Sequence, residues 1–237
     1  MRATARPRKR ADAAGAASEL TAPVEDYLKA IYDLERAGEP AGTTELASRL
    51  KLAPASVTGM VRRLADAGLL THEPYRGARL TAQGRSAALR TLRRHRVIEA
   101  YLVRALGYRW DEVDQEAERL EHAATDELVD RMAAAIGEPT ADPHGAPIPS
   151  RDGAVDESRY RTLADLEPGV STAVMQVSDD DPSLLRYLAD LGITPGSTVT
   201  VVERAPFGGP ITLRVGDLTR AVGPALAERV LVRPHPK

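Results

Sequence analysis

The stretch Pro54-Ala55-Ser56-Val57-Thr58-Gly59-Met60-Val61-Arg62-Arg63-Leu64-Ala65-Asp66-Ala67 decides how the front of this chain folds. Val57, Met60, Val61 and Leu64 recur at three- and four-residue spacing, which gives a helix with one apolar face. Pro54 suits a first helical position, where its missing N–H costs nothing, and Gly68 stops the helix. Upstream, Thr43 or Thr44 caps a short helix with Leu46, Ala47 and Leu50 inward, and Lys51-Leu52-Ala53 makes the turn between the two. Before that, Leu28, Ile31, Tyr32 and Leu34 repeat at helical spacing from Val24 to Arg36, ending at Gly38 and Pro40. Downstream, the extended pieces Leu69–Glu73 and Ala78–Leu80 flank the turn Pro74-Tyr75-Arg76-Gly77. Helix, turn, helix and hairpin, in that order, predict a winged helix-turn-helix.

Beyond the hairpin, Thr81 caps a long helix that runs to about Leu106, and a further long helix is predicted from Asp111 to about Ile136. Residues 137–165 are rich in Pro, Gly and Asp and read as a linker region. From about Glu167 short strands alternate with Gly and Pro turns: Thr172–Val177, Thr198–Glu203, Ile211–Val215, Thr219–Val222 and Arg229–Val232, with one helix, Pro182–Leu191, among them. The expected fold is mainly α with a small β domain. Its layout is a disordered basic arm (1–20), a winged helix-turn-helix (21–88), a helical domain (89–140), a linker (141–165) and a small β-barrel (166–237).

The chain of 237 residues has a formal charge of −2 that hides an asymmetry. Residues 1–104 carry 19 Lys and Arg against 11 Asp and Glu, a balance of +8, whereas residues 105–237 balance at −10. A basic front half implies a polyanionic partner, and an acidic back half implies solvation or cation binding. The absence of cysteine excludes disulfides, thiolate metal sites and cysteine nucleophiles. No stretch approaches the roughly 18 apolar residues of a membrane span, and no apolar run follows the basic start as in a signal peptide, so a cytoplasmic protein without a membrane partner is expected.

In a winged helix-turn-helix the N-terminal end of the second helix enters the major groove of double-stranded DNA. There the exposed positions are Pro54, Ala55, Ser56, Thr58 and Gly59, small enough for close approach, with Ser56 and Thr58 able to hydrogen-bond. Arg62 and Arg63 lie further along and suit phosphates, and the wing offers Tyr75, Arg76 and Arg79.

Two segments carry metal-ligand chemistry. His95 and Glu99 stand four apart on one helix face, and Asp114, Glu118, Glu121 and His122 share one face of the next helix. Crowded carboxylates repel one another, a divalent cation offsets that repulsion, and imidazole adds a borderline ligand. His144 and His235 lie in Pro-rich segments and read as incidental.

Three stretches together resemble the diphtheria toxin repressor / manganese transport regulator family of metal-dependent repressors. They are Asp26-Tyr27-Leu28-Lys29-Ala30-Ile31-Tyr32, the run Leu52–Leu64 with Tyr75-Arg76-Gly77, and His95 followed by Glu118-x-x-Glu121-His122. The resemblance covers roughly residues 20–140 and continues more loosely through a FeoA-like small β-barrel.

The resemblance implies a homodimer that binds operator DNA when loaded with metal and represses metal-uptake genes. It makes the region 89–140 a dimerisation and metal-binding domain. One metal position would take Asp26, Glu118, Glu121 and His122; a neighbouring one would take His95, Glu99 and Asp114, with Asp181 from the barrel. Iron-type members carry Met and Cys where this chain has Asp26 and Glu118, and two hard oxygen ligands in place of sulfur favour Mn(II), with Fe(II) the alternative. Short manganese-type members carry Glu where this chain has Lys29, which cannot ligate while protonated. Two other classes stand against this reading. A helical metalloenzyme would need paired Glu-x-x-His motifs or H-E-x-x-H, neither of which occurs, so no catalytic residues are expected. A winged-helix sensor of an organic ligand would need an apolar pocket, which one Trp and one Phe do not favour.

Overall fold

The structure, a computed structural model, describes residues 20–73, 77–178 and 181–233, with His72 and Glu73 given by their backbone. Residues 1–19 of the expected arm, the wing residues Tyr75 and Arg76, and His235 lie outside the described residues.

The first layer is helical. Helix α1 (Ala22–Ala37) buries Leu28, Ile31, Tyr32 and Leu34, and Gly38 ends it in the left-handed region at φ 79°. Helices α2 (Thr43–Leu50) and α3 (Pro54–Asp66) follow, with Lys51 making the turn at φ 55°. They bury Leu46, Val57, Val61 and Leu64 against α1, in one core with Leu69, Leu70 and Leu92. Strands β1 (Leu70–Glu73) and β2 (Gly77–Leu80) pair antiparallel as the wing. Gly77 is required at its base: φ is 84°, and a Cβ there would sit 2.8 Å from the Ala41 carbonyl oxygen.

Thr81 caps α4 (Ala82–Leu106), its hydroxyl accepting from the Gly84 amide at 3.1 Å. The single helix expected from Asp111 to Ile136 is two helices, α5 (Val113–Glu121) and α6 (Asp126–Ala135). The break has a local cause. Thr125 turns extended, accepts a hydrogen bond from the Leu128 amide at 3.2 Å, and places Asp126 and Glu127 in the first turn of α6, where the helix dipole favours acids. The apolar residues Leu92, Val97, Ile98 and Leu102 of α4 are buried within the chain, and Leu106 is exposed.

The Pro-rich segment expected as a linker is bound along α4. Arg93 donates to the Pro149 carbonyl at 3.0 Å and Arg96 to the Pro147 carbonyl at 2.7 Å, while Ala141 and Pro147 form an isolated bridge. Its other side meets the C-terminal sheet, where the Val177 amide donates to the His144 carbonyl at 2.9 Å.

The C-terminal domain is a six-stranded antiparallel sheet of β3 (Arg161–Thr162), β4 (Ser171–Val177), β5 (Thr198–Arg204), β6 (Ile211–Val215), β7 (Leu218–Val222) and β8 (Val230–Val232). Their order is β3-β8-β4-β5-β6-β7. β3 and β7 are the two edges and do not pair with each other, so the sheet is open rather than the closed barrel expected. Helices α7 (Pro182–Asp190) and α8 (Pro224–Ala227) cover a core of Leu163, Leu185, Leu188, Ile193, Val201 and Leu213. No helix among the described residues is long and apolar enough to cross a membrane.

Candidate metal centre and nucleic-acid interface

Helix α1 has two jobs on two faces. Leu28 and Ile31 fill the core of the winged domain, while Asp26 and Lys29, three residues apart and so neighbours on the helix surface, face the end of α5. There Asp26, Glu118, Glu121 and His122 each bring one ligand atom within 4.8 Å of the others. His122 follows the last residue of α5 yet keeps right-handed backbone angles, so the break before α6 does not turn it away.

Asp26 Oδ1 is buried and accepts no hydrogen bond; His122 Nε2 is 2.9 Å from it but out of line. Burial pushes the Asp26 carboxyl above the usual carboxylate range, with the neighbouring Glu118 adding to the rise and His122 opposing it. Three carboxylates, an imidazole and an orphaned buried oxygen fit a hard or borderline divalent cation.

Lys29 enters this set as a built-in cation. Its Nζ stands 2.6 Å from Glu118 Oε2 and 2.7 Å from Glu121 Oε1. Burial opposes the ammonium charge, but the two carboxylates hold its pKa above the ordinary lysine value. Glu121 is wholly buried, and despite that burial His95 and Lys29 hold it below the usual range.

A second group adjoins the first through Glu121, whose Oε2 is 2.5 Å from His95 Nδ1. His95, Glu99 and Asp114 gather there, with His95 Nε2 3.5 Å from both Glu99 Oε1 and Asp114 Oδ1. Burial works against a charged His95, but hydrogen bonding to Asp114, Glu121 and Glu99 holds its pKa well above the usual histidine value. Asp181 does not join either group. Its Oδ1 caps α7, accepting from the Ser183 amide at 2.8 Å and the Ser183 hydroxyl at 2.7 Å, because an aspartate just before Pro182 is a favoured helix N-cap.

Sequence reading missed three contributors. Glu25 accepts from His122 Nδ1 at 2.7 Å and orients the ring. Asp142 and His144 come from the segment read as a linker, and His144, read as incidental, is fully buried beside Glu99. Glu25 adjoins Asp26 in sequence and could have been weighed; nothing local marks Asp142 or His144.

On α3, Pro54, Ala55, Ser56, Thr58 and Gly59 are all exposed, as are Arg62, Arg63 and the wing residue Arg79. The Thr58 hydroxyl donates to the Pro54 carbonyl at 3.1 Å, which leaves its oxygen lone pairs toward solvent. Gly59 has nothing within 4 Å of where a Cβ would stand.

Three family models match consecutive stretches of the chain. They are the N-terminal DNA-binding domain of iron dependent repressors over residues 19–78, the iron dependent repressor metal binding and dimerisation domain over 81–150, and the FeoA domain over 161–234. The iron-dependent repressor IdeR of Mycobacterium leprae is 33% identical, covering 84% of this chain and 91% of its own. The diphtheria toxin repressor of Corynebacterium jeikeium is 30% identical over 78% of this chain and 86% of its own. Among solved structures, a manganese-dependent transcriptional repressor in complex with manganese is 39% identical, with a TM-score of 0.83 over 88% of this chain and 98% of that one. ScaR with bound Zn2+ is 30% identical, with a TM-score of 0.76 over 89% and 98%.

Proposed function

The chain belongs to the iron-dependent repressor family, and from that premise we propose that it is a homodimeric repressor that binds operator DNA of metal-uptake genes when loaded with a divalent metal, Mn(II) in the first place. The observation that carries this reading is the convergence of Asp26, on the first helix of the DNA-binding layer, with Glu118, Glu121 and His122, on the helix beyond it.

A divalent cation, when bound, supplies the positive charge that lets these carboxylates approach closely. The chain's own residues do the rest. Lys29 holds Glu118 and Glu121 from α1 when no metal competes. Exchanging that ammonium for ligation by Asp26 changes how α1 seats on α5, and α1 carries α3 through their shared core. Two α3 helices in a dimer must match successive major grooves, about 34 Å apart, so a small reseating of α1 decides whether both dock. Metal and DNA are then coupled through one equilibrium, each favouring the state the other binds. Exposed Leu106, Leu120 and Leu128 on α4, α5 and α6 offer apolar surface for the dimer.

Mn(II) is favoured over Fe(II) because Asp26 and Glu118 are hard oxygen donors; selectivity over Zn(II), which binds such sites more tightly, must come from geometry. The test is a titration of apo-protein with Mn(II), anaerobic Fe(II) and Zn(II), following binding to promoter DNA. The expected result is tight binding with Mn(II) that Asp26→Ala abolishes while the thermal transition persists. Activation by Fe(II) at equal or lower concentration would reassign the metal. DNA binding indifferent to every metal would refute the sensor.

A further inference from the structure

We propose that the cleft between the DNA-binding layer and the C-terminal sheet binds a small molecule that carries several oxyanion groups, phosphate or carboxylate. The cleft holds about 1470 Å³, room for far more than a single inorganic ion. α1 and the wing form one wall, and residues 157–160 with β4 and β8 form the other.

Tyr32 marks the site. It is 1% exposed, and among the described residues its hydroxyl makes no hydrogen bond. A buried tyrosine hydroxyl ordinarily has a partner. This one belongs to the cleft wall and is not sealed from solvent, so it offers its proton to whatever enters. Arg85 lies over the ring, 5.0 Å from its centroid, and is itself held by Glu157, which fixes the ring in place. Burial raises the pKa of the hydroxyl, and the positive charges of Arg36, Arg85 and Arg96 oppose that rise. An O–H donor among guanidinium groups suits an anion, and guanidinium forks match phosphate and carboxylate oxygens.

Two cations on facing walls are unspent. Among the described residues the side chains of Arg36, on α1, and Arg159, across the cleft, form no ion pair or hydrogen bond. Three of the wall's carboxylates are engaged: Asp33 takes Arg49 at 2.9 Å, Glu35 accepts from the Leu80 amide at 2.9 Å, and Glu157 takes Arg85. The other two, Glu39 and Glu228, are exposed to solvent. Tyr32 lies too deep to meet a DNA backbone running past the wing, which favours a small ligand over nucleic acid. A ligand spanning Arg36 and Arg159 also ties α1 to the C-terminal domain.

Full-length, metal-free protein is titrated calorimetrically with pyrophosphate and with citrate. The expected result is one site per chain. Tighter binding of pyrophosphate assigns phosphate groups to the ligand, and tighter binding of citrate assigns carboxylates. Tyr32→Phe keeps the ring and removes the donor, and losing a hydrogen bond to a charged group should weaken binding at least about tenfold. Arg159→Gln, on the surface, should weaken it too and flatten its dependence on salt. Arg62→Gln combined with Arg63→Gln, on the exposed face of α3, should leave the anion affinity unchanged. Wild-type affinity in either folded cleft variant would overturn the site. Loss of binding in the α3 variant would overturn it by placing the anion on the DNA-binding face. Failure of the wild type to bind either anion would overturn it outright.

Discussion

Lys29 Nζ lies 2.7 Å from Glu121 Oε1, and this contact joins the first helix of the DNA-binding layer to the end of α5 at the point where the candidate metal ligands gather. Glu121 has no exposure and Lys29 little, so the pair is shielded from solvent. A tethered ammonium therefore competes with a free cation for the same two carboxylates.

Replacing Lys29 with Met keeps its volume and removes that competitor. The metal-free protein should lose about 3 kcal/mol, the lower end for breaking a buried pair, because Glu118 at the rim is half-exposed. Mn(II) should bind at least about tenfold more tightly, a gain of ~1.4 kcal/mol. Calorimetric titration of both proteins decides it, and equal affinities would show that Lys29 does not hold the site closed.

Gly59 sits exposed in the middle of α3 with open space around it, so the fold does not need a glycine there. Gly59→Ala should raise stability by about 0.5–1 kcal/mol through helix propensity. Gly59→Leu should fold equally well yet weaken operator binding at least about tenfold, or ~1.4 kcal/mol, by blocking close approach to the groove. Thermal melts and DNA titrations of the two variants separate the effects. Undiminished operator binding by Gly59→Leu would mean that α3 does not enter the groove at this position.

Asp111 ties the helical layer to the C-terminal domain, with Oδ1 3.0 Å from Arg109 Nε and Oδ2 3.0 Å from Arg186 Nη1. Burial pulls its carboxyl upward, but hydrogen bonds from the two arginines hold it below the ordinary value. A depressed folded pKa gives stability that is present above the unfolded value and lost as the pH falls through the folded one. Acid should loosen this tie, and Asp111→Asn should lower stability at neutral pH by about 1 kcal/mol, since Arg186 is half-exposed. Urea unfolding of both proteins across the acid range checks it, and the variant should show a flatter acid limb.

His95 titrates the other way. Its raised pKa gives stability that is complete below the unfolded histidine value and lost as pH rises through the folded one. Ligation needs the neutral ring, so uptake of metal at His95 should release a proton, and affinity there should climb with pH by up to about tenfold per unit. Proton release measured in two buffers of different ionisation enthalpy checks the linkage. No release would place the metal away from His95.

The winged domain was legible because its signals are local. The spacing of Val57, Val61 and Leu64, the proline at the head of α3 and the hairpin after it lie within one short run, and burial follows the helical period they set. The gathering of the candidate metal cluster was legible too, through the family resemblance and through Glu118, Glu121 and His122 recurring at helical spacing on one segment, and the fold brings these beside Asp26. The break at Thr125 was written locally but masked by an apolar period that continues across it. Three matters were decided only by the packed chain: that Lys29 reaches Glu118 and Glu121, that Asp142 and His144 meet Glu99, and that Asp181 is used up as a helix cap. A helical repeat is fixed by backbone geometry over a few residues, whereas a contact between elements far apart in the chain depends on how their faces pack, which no single segment encodes.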